Sequence, residues 1–101
     1  THENFFKIIR EAQPDLPIII VTKPDFDSNV EVNSKRREVI YQTYKNALDR
    51  GDKNVYFVDG ETLFGSEDRD ACTVDGCHPN DLGFMRMAEH IYPTIKKALK
   101  L

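Results

Sequence analysis

Two short apolar runs separated by one helical segment are the feature that most constrains the fold of this chain. The first run covers Ile18 to Thr22, and its β-branched residues are typical of a strand that is covered on both faces. The second run covers Val55 to Val58. A strand, helix, strand order with a right-handed crossover makes the two strands parallel. The sequence therefore predicts an α/β fold with a parallel sheet.

Apolar residues at helical spacing predict amphipathic helices before and between these strands. The first helix should run from about His2 to Gln13 and stop before Pro14. The second should start at a Ser34 cap and end at Gly51, a residue type that readily adopts a left-handed conformation. The positions expected to face the core in these two helices are Phe5, Ile8, Ile9, Ala12, Ile40, Tyr44, Ala47 and Leu48.

A third amphipathic helix is predicted at the end of the chain. It should be capped by Asn80 or Asp81 and kinked at Pro93, whose ring crowds a carbonyl group one turn earlier. The residues expected to face the core are Phe84, Ala88, Ile91, Ile95 and Leu99. Alternatively, Phe84, Met85 and Met87 could line a pocket for the acyl group of a substrate.

The connections between these elements lack any sustained period. Residues 23–33 are expected to form either a substrate lid or a plain exposed loop. Residues 59–79 are polar, contain three glycines and are expected to form a long functional loop. The order α, β, α, β, long loop, α is that of the C-terminal part of a three-layer α/β/α sandwich.

Composition narrows the class of protein further. Hydrophobic residues make up 40% and charged residues 31% of the 101 residues, as in a packed domain or part of one. The net charge is −3 and the largest basic cluster is Lys35-Arg36-Arg37, so no nucleic-acid-binding surface is expected. The longest apolar run is too short to span a bilayer. Because the chain starts at Thr1 inside a helical pattern, we expect it to be part of a longer or processed protein.

The residues that carry chemistry collect where the carboxyl ends of the strands should lie. Working groups of open α/β sheets sit on loops at this edge, and here the loops hold Asp59, Asp75, Cys77 and His78. The spacing of Asp75 and His78 lets a turn bring the carboxylate to one imidazole nitrogen, which leaves the other nitrogen to face a nucleophile. The pair is therefore predicted to be an orienting acid and a general base.

The segment Asp75-Gly-Cys-His78-Pro-Asn-Asp-Leu-Gly-Phe84 resembles the last motif of the SGNH (GDSL-like) hydrolases. The order of helices and strands is also similar to the way that this flavodoxin-like family ends. The resemblance implies the C-terminal part of a serine esterase with a Ser-His-Asp triad, in which Asp75 is the acid and His78 the base. It implies no metal or cofactor, and substrates that are short-acyl carbohydrate esters or lipid esters.

The resemblance also implies that the nucleophile lies elsewhere. In the family, the nucleophilic Ser in a Gly-Asp-Ser type block and the oxyanion-hole Gly and Asn all precede the region that these residues match. Ser28, Ser34 and Ser66 lack such a block. We therefore expect this chain alone to be inactive and to associate with a missing N-terminal segment, or with itself through unpaired sheet edges.

Several alternatives remain open at this point. Cys72, Cys77, His78 and Asp75 could bind zinc, although the cysteine spacing is not that of a structural site. A Cys72–Cys77 disulfide would favour a periplasmic or secreted protein, and two free thiols are an equal alternative. The whole domain could be a non-catalytic interaction or structural module that lacks the nucleophile.

Three further polar residues have plain structural explanations. Asp59 is the other candidate acid, but Asp59-Gly60 is also an ordinary turn pair, which is the preferred interpretation. His90 is expected to be structural within the last helix. His2, near the start of the chain, is expected to be solvated.

Overall fold

The structure is a computed structural model that describes residues 1–24 and 26–101. Its helices and strands are α1 (His2–Ala12), β1 (Ile18–Val21), α2 (Val30–Asp49), β2 (Val55–Val58) and α3 (Asp81–Leu99). Short 3₁₀ helices lie between β1 and α2 (Phe26–Asn29) and between β2 and α3 (Gly60–Thr62 and Arg69–Cys72). None of the helices in the described part of the chain is long and apolar enough to cross a membrane.

The two strands form a parallel pair, as the sequence predicts. Ile18 lies opposite Val55, and the register continues to Val21 opposite Val58. Because both strands run in the same direction, their carboxyl ends meet at one edge of the sheet. The two connections that contain the 3₁₀ helices start from that edge.

The buried core lies where α1 and α2 pack against the sheet. Its members are each at most 7% exposed, with four partly buried neighbours around them. The buried residues are Phe6, Ile20, Ala47 and Val55, and the neighbours are Ile18, Ile40, Tyr44 and Phe57. The predicted positions Ile40, Tyr44 and Ala47 are thus confirmed. The third helix, α3, contacts both strands.

The face of α1 that meets the core differs from the predicted one. Phe6 is 4% exposed, whereas Phe5 and Ile8 are 64% and 66% exposed. Ala12 is exposed and Ile9 is half-buried. The predicted core stripe of this helix was therefore wrong, although the helix itself is where the periodicity places it.

Polar contacts between α1 and α2 explain this rotation. The His2 Nδ1 atom lies 2.9 Å from the Thr43 hydroxyl, and the Asn46 side chain donates to the Glu3 carboxylate at 2.6 Å. These bonds turn positions 2 and 3 toward α2, and position 6 lies on the same helix face. The expectation that His2 is solvated was also wrong, since it is half-buried in this contact.

The cap of the second helix is Asn29, five residues before the predicted cap Ser34. The Asn29 side chain accepts a hydrogen bond from the Val32 N–H at 3.2 Å and caps the helix, so Ser34 lies within the helix and is not its cap. Asn and Ser cap helices equally well, and the sequence pattern alone does not separate them. The helix ends before Gly51, whose φ of 86° confirms its predicted left-handed conformation. Leu48 is 41% exposed, contrary to prediction.

The third helix begins as predicted but buries fewer of its apolar residues. Asn80 caps it by accepting from the Gly83 N–H at 3.0 Å, and the helix continues through Pro93. The predicted core residues Phe84 and Leu99 are 58% and 57% exposed, and Ala88 is exposed while Ile91 and Ile95 are half-buried. Strands lie about 4.8 Å apart and a helix is about 10 Å wide, so two strands cannot cover its apolar face.

Candidate functional site

The loop of residues 73–79 projects from the connection between β2 and α3. Its two ends form an antiparallel bridge between Thr73 and Pro79, and the Val74 N–H donates to the His78 carbonyl at 2.9 Å. The tip turns at Gly76, which has a φ of 82°. The backbone therefore closes the loop on itself and holds positions 75 and 78 on the same short turn.

Within this loop, Asp75 and His78 form the predicted pair. The Nδ1 atom of His78 lies 2.6 Å from Oδ2 of Asp75. The other carboxylate oxygen, Oδ1, accepts the backbone N–H groups of Cys77 at 2.9 Å and His78 at 2.8 Å. The predicted geometric contact between the carboxylate and one ring nitrogen is confirmed.

These hydrogen bonds also fix the charge of the carboxyl group. The backbone N–H of His78, the His78 ring and the backbone N–H of Cys77, in that order, lower the pKa of Asp75 from 3.8 to about 2. Asp75 is therefore ionised at neutral pH and can only accept hydrogen bonds. It follows that Nδ1 of His78 donates in this contact, so the tautomer of a neutral ring would have its lone pair on Nε2.

The remaining ring nitrogen is open to a reacting group. The side chain of His78 is 77% exposed and that of Asp75 is 51% exposed. Within residues 1–24 and 26–101, Nε2 of His78 has no hydrogen-bond partner. A neutral imidazole oriented in this way can accept a proton from a hydroxyl group placed beside it.

The base of the loop is anchored to the start of α3. The Asn80 N–H donates to the Cys72 carbonyl at 2.9 Å, and the Asn80 side chain donates to the Ala71 carbonyl at 2.7 Å. Gly83 lies so close to the backbone just before the loop that a Cβ atom at this position would be 2.2 Å from the Cys72 carbonyl oxygen. The glycine of the sequence motif is thus required by a close backbone approach.

Arginine side chains hold the rest of the connection in place. Arg86 on α3 donates from Nη1 to the carbonyls of Phe64 and Glu67. Arg69 bonds the carboxylate of Asp27 in the connection between β1 and α2. Sequence reasoning singled out neither residue, because the sequence around an arginine does not indicate which distant carbonyl or carboxylate groups it will contact.

An open depression of about 530 Å³ adjoins the Asp75 side of the loop. It lies between the two connections at the carboxyl edge of the sheet, and Asp75 and Gly76 form part of its wall. Ser28 also lines it and accepts from the Lys23 ammonium at 3.2 Å. No hydrogen bond between a serine hydroxyl and the His78 ring is found in the part of the chain that the structure describes.

Asp59 caps the turn that follows β2, in agreement with the preferred interpretation of Asp59-Gly60 as a turn pair. Its side chain accepts from the Glu61 N–H at 3.0 Å and caps the 3₁₀ helix that follows β2. It also accepts from Arg37 at 3.3 Å. A Cβ atom at Gly60 would lie 2.1 Å from the Lys23 carbonyl oxygen, so glycine is required there by the closeness of the first connection.

The cysteines lie in different environments. Cys72 is fully buried, Cys77 is exposed, and both are free thiols. Among the residues that the structure describes, no group of three or more His, Cys, Asp and Glu side chains is arranged to hold a metal ion. The geometry therefore gives no support to the zinc alternative or to the disulfide.

The other sequence candidates are all on α3. His90 is exposed on α3, where its Nδ1 atom bonds the Arg86 carbonyl at 2.7 Å. Phe84 and Met85, at 58% and 54% exposed, are not core residues in this structure. Met87 is half-buried.

Comparison with known proteins gives a consistent result. Residues 1–96 match the GDSL-like lipase/acylhydrolase family. The chain is similar to a crystal structure from Bacteroides ovatus ATCC 8483, a protein provisionally assigned as a GDSL-like lipase, with 33% sequence identity and a TM-score of 0.77. The similarity covers 95% of this chain and 30% of that chain. No protein of curated function matches the sequence.

Proposed function

This chain belongs to the GDSL-like lipase/acylhydrolase family, and on that premise we propose that it supplies the acid and the base of a serine esterase. The observation that carries the proposal is the 2.6 Å contact between His78 Nδ1 and Asp75 Oδ2, with the His78 side chain exposed. In such a triad the carboxylate holds the imidazole in the tautomer whose other nitrogen is basic. The exposed pair in this loop meets that requirement.

The proposed reaction begins with a serine hydroxyl from a segment outside these 101 residues. Nε2 of His78 takes the hydroxyl proton as the oxygen attacks the ester carbonyl, and ionised Asp75 stabilises the imidazolium that forms. The imidazolium then returns the proton to the leaving alcohol. Water repeats the sequence on the acyl-enzyme and releases the carboxylic acid, and the mechanism needs no metal ion.

The same proposal assigns the chain to the C-terminal part of a larger three-layer α/β/α domain. Its support is the unfinished packing: in the described residues the sheet has only two strands, and both outer edges lack a partner strand. Apolar side chains on α1 and α3 also stay exposed, including Phe5, Ile8 and Phe84. A sheet extended beyond β1 or β2 would cover these surfaces, and self-association through an edge is the alternative. Carbohydrate or lipid esters are the proposed substrates.

The decisive experiment measures ester hydrolysis by the complete protein that contains this chain. With a short-chain aryl ester, His78→Ala should lower kcat/KM by roughly three to six orders of magnitude, and Asp75→Asn by a similar or smaller factor. His90→Ala is the matched control, because His90 is an exposed histidine on α3 whose ring bonds the Arg86 carbonyl. Unchanged turnover in His78→Ala would refute the proposal. Absence of turnover in the wild type would favour a non-catalytic module.

A further inference from the structure

Arg69 joins the two connections at the carboxyl edge of the sheet. From the 3₁₀ helix Arg69–Cys72, its Nε atom donates to Oδ2 of Asp27 at 2.7 Å and its Nη2 atom donates to Oδ1 at 3.2 Å. The carboxylate therefore receives two parallel hydrogen bonds from one guanidinium, which is the geometry that fixes both position and orientation. We call this contact the Arg69–Asp27 clasp.

The third nitrogen of the guanidinium is held from the opposite side. Nη1 of Arg69 donates to the Gly65 carbonyl at 3.0 Å and to the Glu61 carbonyl. The side chain of Arg69 is only 22% exposed. Since its donors are used on both sides, Arg69 ties Asp27 to the backbone that follows β2. A single charged contact on the surface would leave far more freedom.

The clasp lies in the wall of the depression beside the candidate catalytic loop. Asp27 and Arg69 line the same cavity of about 530 Å³ as Thr73, Asp75 and Gly76. One part of the cavity wall is therefore formed by Asp27 and Ser28, and another part by the loop that carries the Asp75–His78 pair. The relative position of these two parts depends on whether Arg69 holds Asp27.

We propose that Arg69 is a positioning residue for substrate, because the clasp fixes the wall that receives the part of the ester beyond its reacting carbonyl. This inference rests on the esterase function proposed above. It assigns the 3₁₀ helix Phe26–Asn29, through Asp27, as one side of the substrate site. Loss of the clasp weakens binding of esters that fill the depression and leaves the chemistry at His78 intact.

The test compares two classes of ester in the complete protein. The small substrate is an aryl acetate, and the extended substrates are a long-chain aryl ester and an acetylated glycoside. Arg69→Met should raise KM roughly fivefold for the extended ester that the wild type binds best, with kcat within about twofold. Both constants for the aryl acetate should stay within about twofold of the wild type.

Companion variants separate positioning from general damage. Arg69→Lys keeps the charge but cannot form the two-bonded contact, so it should restore KM only in part. Asp27→Asn leaves the carbonyl contacts of Arg69 in place and should raise KM less than Arg69→Met does, which also keeps the test open if Arg69→Met fails to fold. Lys35→Met removes the exposed ion pair with Glu31 on α2 and should leave kcat and KM unchanged for every ester tested.

The outcomes distinguish this inference from the proposed function. Two results would overturn the positioning role while the esterase function stands. One is an equal increase in KM for small and extended esters, and the other is an unchanged KM in both Arg69→Met and Asp27→Asn. If the wild type hydrolyses no ester, the proposed function fails, and the inference fails with it. A KM increase confined to extended esters supports both.

Discussion

Substitution of Gly83 by alanine tests how the candidate catalytic loop is held against α3. A Cβ atom at this position would lie 2.2 Å from the Cys72 carbonyl oxygen, and ordinary contact begins at 3.4 Å, so the two backbones must separate by about 1 Å. The same Cys72 oxygen accepts the Asn80 N–H, and the neighbouring Ala71 carbonyl accepts the Asn80 side chain. The separation therefore strains both hydrogen bonds at the base of the loop.

Two opposing effects decide the magnitude. Alanine in place of glycine inside a helix stabilises by about 1 kcal/mol. Overpacking costs about 1 to 3 kcal/mol, and loss of two hydrogen bonds costs about 1 kcal/mol each. We therefore expect Gly83→Ala to lower the free energy of unfolding by about 2 to 4 kcal/mol. Because the strained bonds anchor the Asp75–His78 loop, a shift of about 1 Å there should also lower kcat/KM by about 100-fold.

Urea denaturation and aryl ester hydrolysis of the complete protein measure these two effects. Gly51→Ala is the matched control. Gly51 has a φ of 86° and precedes β2, at the opposite edge of the sheet, and in residues 1–24 and 26–101 no heavy atom beyond its chain neighbours lies within 4 Å of its Cβ position. It should lose about 1 kcal/mol from backbone strain and keep full activity. Equal or greater stability of Gly83→Ala than of the wild type would show that helix propensity dominates, and the clash argument would be refuted.

The remaining predictions concern pH and the thiols. The pKa of Asp75 is lowered to about 2, first by the His78 N–H and then by the His78 ring. The contribution of ionised Asp75 to the free energy of unfolding should therefore be complete above about pH 4 and lost as the pH falls through 2. A carboxyl NMR titration with its midpoint at or above 3.8 would contradict this. Because Cys72 is buried and Cys77 exposed, Ellman's reagent should modify one thiol rapidly in the native protein and the second only in denaturant. As a check, the Cys77→Ser variant, which keeps only the buried Cys72, should label slowly, whereas the Cys72→Ser variant, which keeps the exposed Cys77, should label rapidly.

Local chemistry along the chain determined much of the architecture and of the candidate site. The β-branched runs at Ile18 to Thr22 and Val55 to Val58 predict the two strands, and the helical segment between them predicts the parallel pairing. The three-residue spacing of Asp75 and His78 predicts their contact, since one short turn suffices to form it. Such features depend on neighbours within a few residues, so the sequence pattern contains them. The catalytic roles of the two residues stay a prediction.

Only the tertiary structure decided the features that depend on distant partners. Phe6 and not Phe5 meets the core because α1 bonds α2 through residues more than forty positions away. Gly83 is required by the close approach of the Cys72 backbone, and Arg69 bonds Asp27 across the edge of the sheet. The sequence pattern of one helix or loop cannot reveal these contacts. Each contact forms only when two distant segments come together in the folded chain, so its stabilising free energy depends on both segments.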